Sequence, residues 1–391
     1  YAPANFAPKG EKQGDYFSDT LGPYDYWAIE YGYKPISGDE AEAWVRYHYD
    51  GGASSIEQIA FDNGVIWDAA FIATNTVSGT PNAQTGTSAN NTFVVDHVGD
   101  TITEGLNQGT DTVQSAVSYT LPANVENITL TGNLDLSATG NDLNNTITGN
   151  SGDNILDGVS GNDTLVGGLG DDTYTIAYWD GTYTIIENAG GGTDTVIVDY
   201  GFTLPDHLAN LTIQTRMYSN HIANGNALAN VIDTSWNSNS TFEINGGAGA
   251  DVMIGSAQAT IYWVDNIGDI VIDDSQWDYI DRINSSVSYI LPEGVEYLNL
   301  VGASAISGTG NANNNWLDGS QNSAANTLAG GAGNDTYVIG LGDVVIESAA
   351  GGIDQIQVAG GLQMHFDFSG QVGIENFQLL AAVGAAGIIG T

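Results

Sequence analysis

The chain is 391 residues long and sets 47 acidic against 6 basic residues, a formal charge of −41, yet only 14% of it is charged and 42% is hydrophobic. That is too apolar for a disordered acidic tail, and so negative that self-repulsion opposes a compact state unless cations bind. No basic stripe exists to meet nucleic acid or an anionic membrane surface, no run reaches the roughly 18 apolar residues of a membrane span, and without cysteine there are neither disulfides nor thiolate metal sites.

Four of the six basic residues (Lys9, Lys12, Lys34, Arg46) fall in the first fifty positions, which sets residues 1–43 apart as an aromatic-rich segment. Its centre is GPYDYWAIEYGYKP at 22–35. Tyr24–Tyr33 resembles the stretch after the Met-turn of secreted zinc metalloproteases of the metzincin kind, where a Tyr-rich run ends in a helix of the form D-x-x-A-I-x-Y-x-Y-G. The resemblance implies a helix here and a protease as parent protein. The chain departs from that family at the chemistry, because no H-E-x-x-H occurs and so neither zinc ligands nor general base are present. No catalytic residue is assigned. His48, His97, His207, His221 and His365 are scattered singly and read as structural. The start at Tyr1 rather than Met reads as a processed chain or a fragment.

Residues 44–74 read as a small β module, with two or three strands around a turn at Asp62-Asn63-Gly64. The pattern I-E-x-I-x-F-D-x-G-x-x-W-D, from Ile56 to Asp68, is similar to an all-β module that commonly accompanies the repeats described below. Residues 75–91 are polar and read as a linker.

From 92 to 391 a repeat of roughly 80 residues recurs, marked by Phe93, Tyr174, Tyr262 and Tyr337. A Leu-Pro pair follows at 121–122, 204–205 and 291–292, and is missing from the fourth copy. Strands follow at 126–130, 209–213, 296–300 and 375–379. Alternating β-branched residues with Gly, Asn and Asp punctuation predict β throughout, stacked into one elongated core. Each copy also holds two acids seven apart: Glu104 and Asp111, Glu187 and Asp194, Asp274 and Asp281, Glu347 and Asp354. Acid at both ends of a turn suggests cation ligands; a solvated turn that merely favours Asp is the alternative. The C-terminal LLAAVGAAGIIGT reads as a buried end strand.

Inside this region, residues 140–175 carry a nine-residue beat. Asn145, Asn154, Asp163 and Asp172 fall nine apart, each followed two places on by Ile147, Leu156, Leu165 or Tyr174, with Gly140, Gly149, Gly158 and Gly167 five places before. Gly152, Gly161 and Gly170 stand two before the last three markers. The glycines make turns and the x-U-x half makes a strand with one apolar residue pointing inward. Two such units complete one coil of a parallel solenoid, so residues 18 apart stack: Asn145 on Asp163, Asn154 on Asp172. Stacked carboxylates call for a hard cation with several oxygen ligands, for which Ca²⁺ is the natural choice. A turn solenoid without metal is the competing reading. The pattern resembles the nonapeptide of RTX, or haemolysin-type, calcium-binding proteins.

These readings give an all-β, elongated parallel β-roll with a short mixed N-terminal segment, binding several Ca²⁺ ions. In the first block the candidate ligands are Asn145, Asn154, Asp163 and Asp172, the adjacent Asp153 and Asp171, and the turn residues Gly158, Gly161, Gly167, Gly168 and Gly170. The later blocks are degraded. Asp251 has Asp233 as its partner 18 back and Thr260 as its successor; Asp335 lies in a good turn, but the step from Asn315 to Asn326 is eleven. Calcium is therefore expected to concentrate in the first block. The resemblance implies export by a bacterial one-step, type I-like route, and an extracellular scaffold, adhesion or secretion-assisting role, with surface glycans or cell-surface components as partners. Two alternatives are the C-terminal part of a secreted zinc protease, and a polysaccharide-binding or polysaccharide-modifying solenoid using Trp179, Trp236, Trp277 and Trp316.

Overall fold

The computed structural model describes residues 80–177, 181–215, 218–273, 279–347, 351–358 and 373–379, together with the backbone of five strands between residues 6 and 68. Among the described residues every regular element is a strand, and no helix is long and apolar enough to cross a membrane.

The five N-terminal strands are Phe6–Pro8, Ile29–Pro35, Ala43–Tyr49, Ser54–Phe61 and Ile66–Asp68, antiparallel neighbours in chain order. The helix implied for the Tyr-rich stretch is corrected here, since Ile29–Pro35 is a strand. Ile29, Tyr31 and Tyr33 alternate with Glu30, Gly32 and Lys34, a period of two, and Gly32 and Pro35 both oppose a helix. The turn at 62–64 lies outside the described residues.

From Ala83 onward the strands are parallel and wind into a solenoid of about 14 turns. Consecutive strands alternate between two faces. A six-stranded sheet spanning Thr92 to Ile186 is followed by a ten-stranded one, and opposite them a nine-stranded sheet ending at Ile270–Ile272 is followed by a four-stranded one. The polar stretch expected as a linker already contributes a strand, Ala83–Thr85, paired with Thr101–Thr103. The C-terminal end strand that was expected lies largely outside the described residues; Ile374–Leu379 is the last strand described.

The nine-residue beat becomes the core. Ile147 pairs with Leu165 and Leu156 with Tyr174, and all four are fully buried. Burying each such side chain stabilises by about 1.5–3 kcal/mol, and one falls on each half-coil. The long-repeat aromatics Tyr174, Tyr262 and Tyr337 share this spine at zero exposure. Leu121, Leu204 and Leu291 are buried as well, and the carbonyls of Pro122, Pro205 and Pro292 each accept a hydrogen bond from the side-chain amide of Asn141, Asn226 or Asn311 at 2.7 Å. The Leu-Pro pair thus clips one coil to the Gly-Asn turn of the next. Of the four tryptophans singled out, Trp179 and Trp277 lie outside the described residues, Trp236 is exposed, and Trp316 stacks on Tyr297 with centroids 5.6 Å apart.

Candidate metal ladder

Each marker residue sits at the end of a glycine turn, just before its strand. Gly168 and Gly170 take φ of 114° and 108°, and a Cβ on Gly170 would also run into the Gly152 carbonyl one coil away. The turn so formed turns its closing Asp inward, beneath the backbone of the preceding coil. Asn145 N–H donates to Asp163 Oδ1 and Asn154 N–H donates to Asp172 Oδ1, both at 2.7 Å and both across 18 residues. The stacking expected from the nine-residue beat is therefore present. The ladder then steps on to Asp194, whose Oδ1 accepts the Asp172 N–H at 2.9 Å.

The neighbouring Asp153 and Asp171 form a separate, exposed ladder. Their Oδ1 atoms accept the N–H groups of Asp171 and Thr193 at 2.8 and 2.7 Å. They point to solvent, away from the buried row.

What distinguishes the buried row is its second oxygen. Oδ2 of Asp172, Asp194, Asp251, Asp335 and Asp354 is buried with no hydrogen-bond partner. An unpaired buried charge costs several kcal/mol unless a proton or a cation joins it. Burial pushes the Asp172 carboxyl up to about 7 and those of Asp251 and Asp335 up to about 6; it raises Asp194 and Asp354 too. Gly167 keeps the space beside Asp172 open: a Cβ there would collide with Asp172 Oδ2, Glu187 Oε1 and the Tyr174 hydroxyl. Gly158 lies likewise against the Asp163 carboxylate. Orphaned carboxylate oxygens around a glycine-cleared space fit a hard, oxygen-seeking cation.

Residues 139–174 and 243–261 match the family described as RTX calcium-binding nonapeptide repeat (4 copies). The chain carries RTX calcium-binding repeats. Residues 37–70 match the haemolysin-type calcium binding protein related domain, and residues 1–50 match the Met-zincin family. No curated protein matches the chain.

Beyond the first RTX block the coil length varies, and counting by 18 misplaces the partner of Asp251. Asp251 does not take Asp233 as its partner; its Oδ1 accepts the Asn230 N–H across 21 residues at 2.8 Å, while Asp233 folds onto Ser235. Asp251 N–H in turn donates to Asp269, and Thr260 N–H to Asp281. In the third block Asn315 N–H reaches Asp335 across 20 residues and Asn326 N–H reaches Asp343 across 17, so the eleven-residue step is absorbed in the turn. Ladder geometry thus extends beyond the first block.

The acids seven apart divide by copy. Asp172, Glu187 and Asp194 each offer an oxygen within 4.8 Å of the others, and so do Asp335, Glu347 and Asp354. In the first copy Asn91 stands in place of the ladder Asp: its N–H donates to Asp111 Oδ1 at 2.6 Å, and Glu104 accepts from Gly105 N–H at 2.9 Å. In the third copy Asp274 lies outside the described residues, and it is Asp273 that takes the acid's place, accepting from the Tyr262 hydroxyl at 2.6 Å.

Sequence reasoning also passed over Asp100, Asp269 and Asp343. Each accepts the N–H of the residue 17 or 18 positions before it through Oδ1, while Oδ2 caps its own turn. Their signal was a Gly-Asp dipeptide before a strand, recurring at 99–100, 268–269 and 342–343.

Proposed function

We propose that the protein is a secreted calcium-binding β-solenoid whose folding is coupled to Ca²⁺, serving as the scaffold, adhesion or secretion-assisting region of an extracellular bacterial protein. The observation that carries this reading is the buried carboxylates of Asp172, Asp194, Asp251 and Asp335, each with Oδ1 spent on the coil before and Oδ2 without a hydrogen bond. Asp163, Asp172 and Asp251, with the turn backbone of their RTX repeats, would hold the ions, and calcium would supply the positive charge that six Lys and Arg cannot. The 52 glycines favour the unfolded chain entropically, so the balance tips toward the fold only when metal is bound. Low calcium inside the cell and higher calcium outside would then keep the chain unfolded for type I-like export and fold it afterwards.

The Met-zincin match at 1–50 supports a second reading for the parent protein, in which this solenoid is the C-terminal region of a secreted zinc protease. The chain itself has no H-E-x-x-H.

The test is a circular dichroism titration with Ca²⁺ after exhaustive chelation. β-structure should grow as calcium passes through about 10⁻⁴–10⁻³ M, with Mg²⁺ much less effective because it dehydrates reluctantly. A spectrum unchanged by chelation would sink the calcium-linked reading.

A further inference from the structure

Two carboxylate triads stand where the nonapeptide coils hand over to the longer repeat, and they are built differently from the RTX turns. The first joins Asp172, Glu187 and Asp194; the second joins Asp335, Glu347 and Asp354. Five of the six residues are buried, four of them at 1% exposure or less. In each triad the strand tyrosine two places after the first Asp, Tyr174 or Tyr337, donates its hydroxyl hydrogen to the Glu and so fixes its carboxylate. Oδ2 of both Asp residues in each triad is buried without a hydrogen bond. Three carboxylates gathered so closely need positive charge, yet the chain has no Lys or Arg from 47 to 215 or after 282.

Resting on the calcium reading above, we propose that each triad is a separate divalent-cation site that closes its coil stack, with Glu187 or Glu347 as the ligand that sets it apart from the RTX turns. An all-carboxylate set of oxygens suits a hard divalent ion such as Ca²⁺, which takes six to eight oxygen ligands. The other two copies lack the full set. The first has Asn91 and Phe93, and the third has Thr260, where the triads have Asp and Tyr. Among the described residues there are therefore two such sites, and the second falls outside the stretches matched to the RTX family.

The experiment counts bound calcium by equilibrium dialysis of the full chain at saturating Ca²⁺. Glu187→Gln with Glu347→Gln should lower the count by about two ions, while Asp273→Asn, the corresponding change in the third copy, should leave it unchanged. A count unchanged in the double variant, in a chain that still folds with calcium, overturns the triad sites and leaves the RTX reading standing. A wild-type chain that binds no calcium overturns both. If the double variant does not fold, Tb³⁺ luminescence excited through tyrosine decides. Tyr174→Phe with Tyr337→Phe, which copies Phe93 of the first repeat, should cut the emission at least about twofold; unchanged emission overturns the proposal.

Discussion

Asp100 and Asp172 are both nearly buried carboxylates that accept an N–H from the residue 18 positions earlier, yet they differ in what they lack. Asp100 has nothing left over: Oδ1 takes the Asn82 N–H at 2.9 Å, and Oδ2 takes those of Asp96 and His97 at 3.1 and 3.2 Å. The Asn82 N–H, with the two turn N–H groups, holds its carboxyl below the usual range. Asp172 has one oxygen without a hydrogen bond and faces Glu187 across a space cleared by Gly167. Burial of a carboxylate is thus no mark of a metal site by itself. The mark is an oxygen that the chain leaves unsatisfied.

The largest expected effect comes from filling that space. Gly167→Ala would drive a methyl into three oxygens, whereas a Cβ on Gly99 meets only His97 and Pro81, at 3.1 Å. Overpacking of the first kind costs about 1–3 kcal/mol or more, so thermal melts in calcium should show a clear loss for Gly167→Ala and a small one for Gly99→Ala. Similar losses would mean that the two turns are equally crowded.

Next come the acids themselves. Asp100→Ala removes the acceptor of three backbone N–H groups and should destabilise whether or not calcium is present. Asp172→Asn, which keeps an oxygen acceptor for the Asn154 N–H, should instead lose the calcium-induced part of the melting shift, leaving the chelated protein little changed. Equal behaviour in chelator and in calcium would erase the distinction between them.

Asp251 sharpens the contrast from between. It has an Oδ2 without a hydrogen bond, but its onward neighbour Asp269 spends both oxygens on backbone N–H groups. Asp251→Ala should therefore raise the calcium midpoint less than Asp172→Ala does. A calcium titration followed by circular dichroism compares the two directly.

The smallest effect is one of pH. In the calcium-free protein Asp172 titrates near 7 and Asp251 and Asp335 near 6, above the unfolded value of about 3.9. The folded state holds these protons more tightly. Their contribution is complete below the unfolded value and is lost as pH rises through the folded ones. Melts in chelator should weaken from about pH 4 to about pH 8, and saturating calcium should flatten that slope.

The spine and the first ladder were legible because period carries them. Ile147, Leu156, Leu165 and Tyr174 follow one beat, and a buried strand residue on each half-coil requires that beat. Legibility ended where the coil length changed. Counting by 18 led to Asp233 as the partner of Asp251, because nothing local announces that this coil is 21 residues long. In the third copy Asp274 lies outside the described residues, and the count of seven passed over Asp273, which accepts from the Tyr262 hydroxyl. The Asp100 turns went unseen for another reason: a Gly-Asp pair is common, and only its position before a strand gives it meaning.

The coil-to-coil pairing has one more consequence. Strand partners lie close in sequence, as with Val196 and Leu211, Ile147 and Leu165, or Tyr297 and Trp316. Parallel sheets ordinarily fold slowly because distant segments must first find each other. With partners about 20 residues apart in 391, the mean separation is roughly 0.05 of the chain length, as low as in helical bundles. A chain emerging end first through a narrow passage would not have to wait for its far end. Each coil, once formed, presents a finished edge for the one that follows.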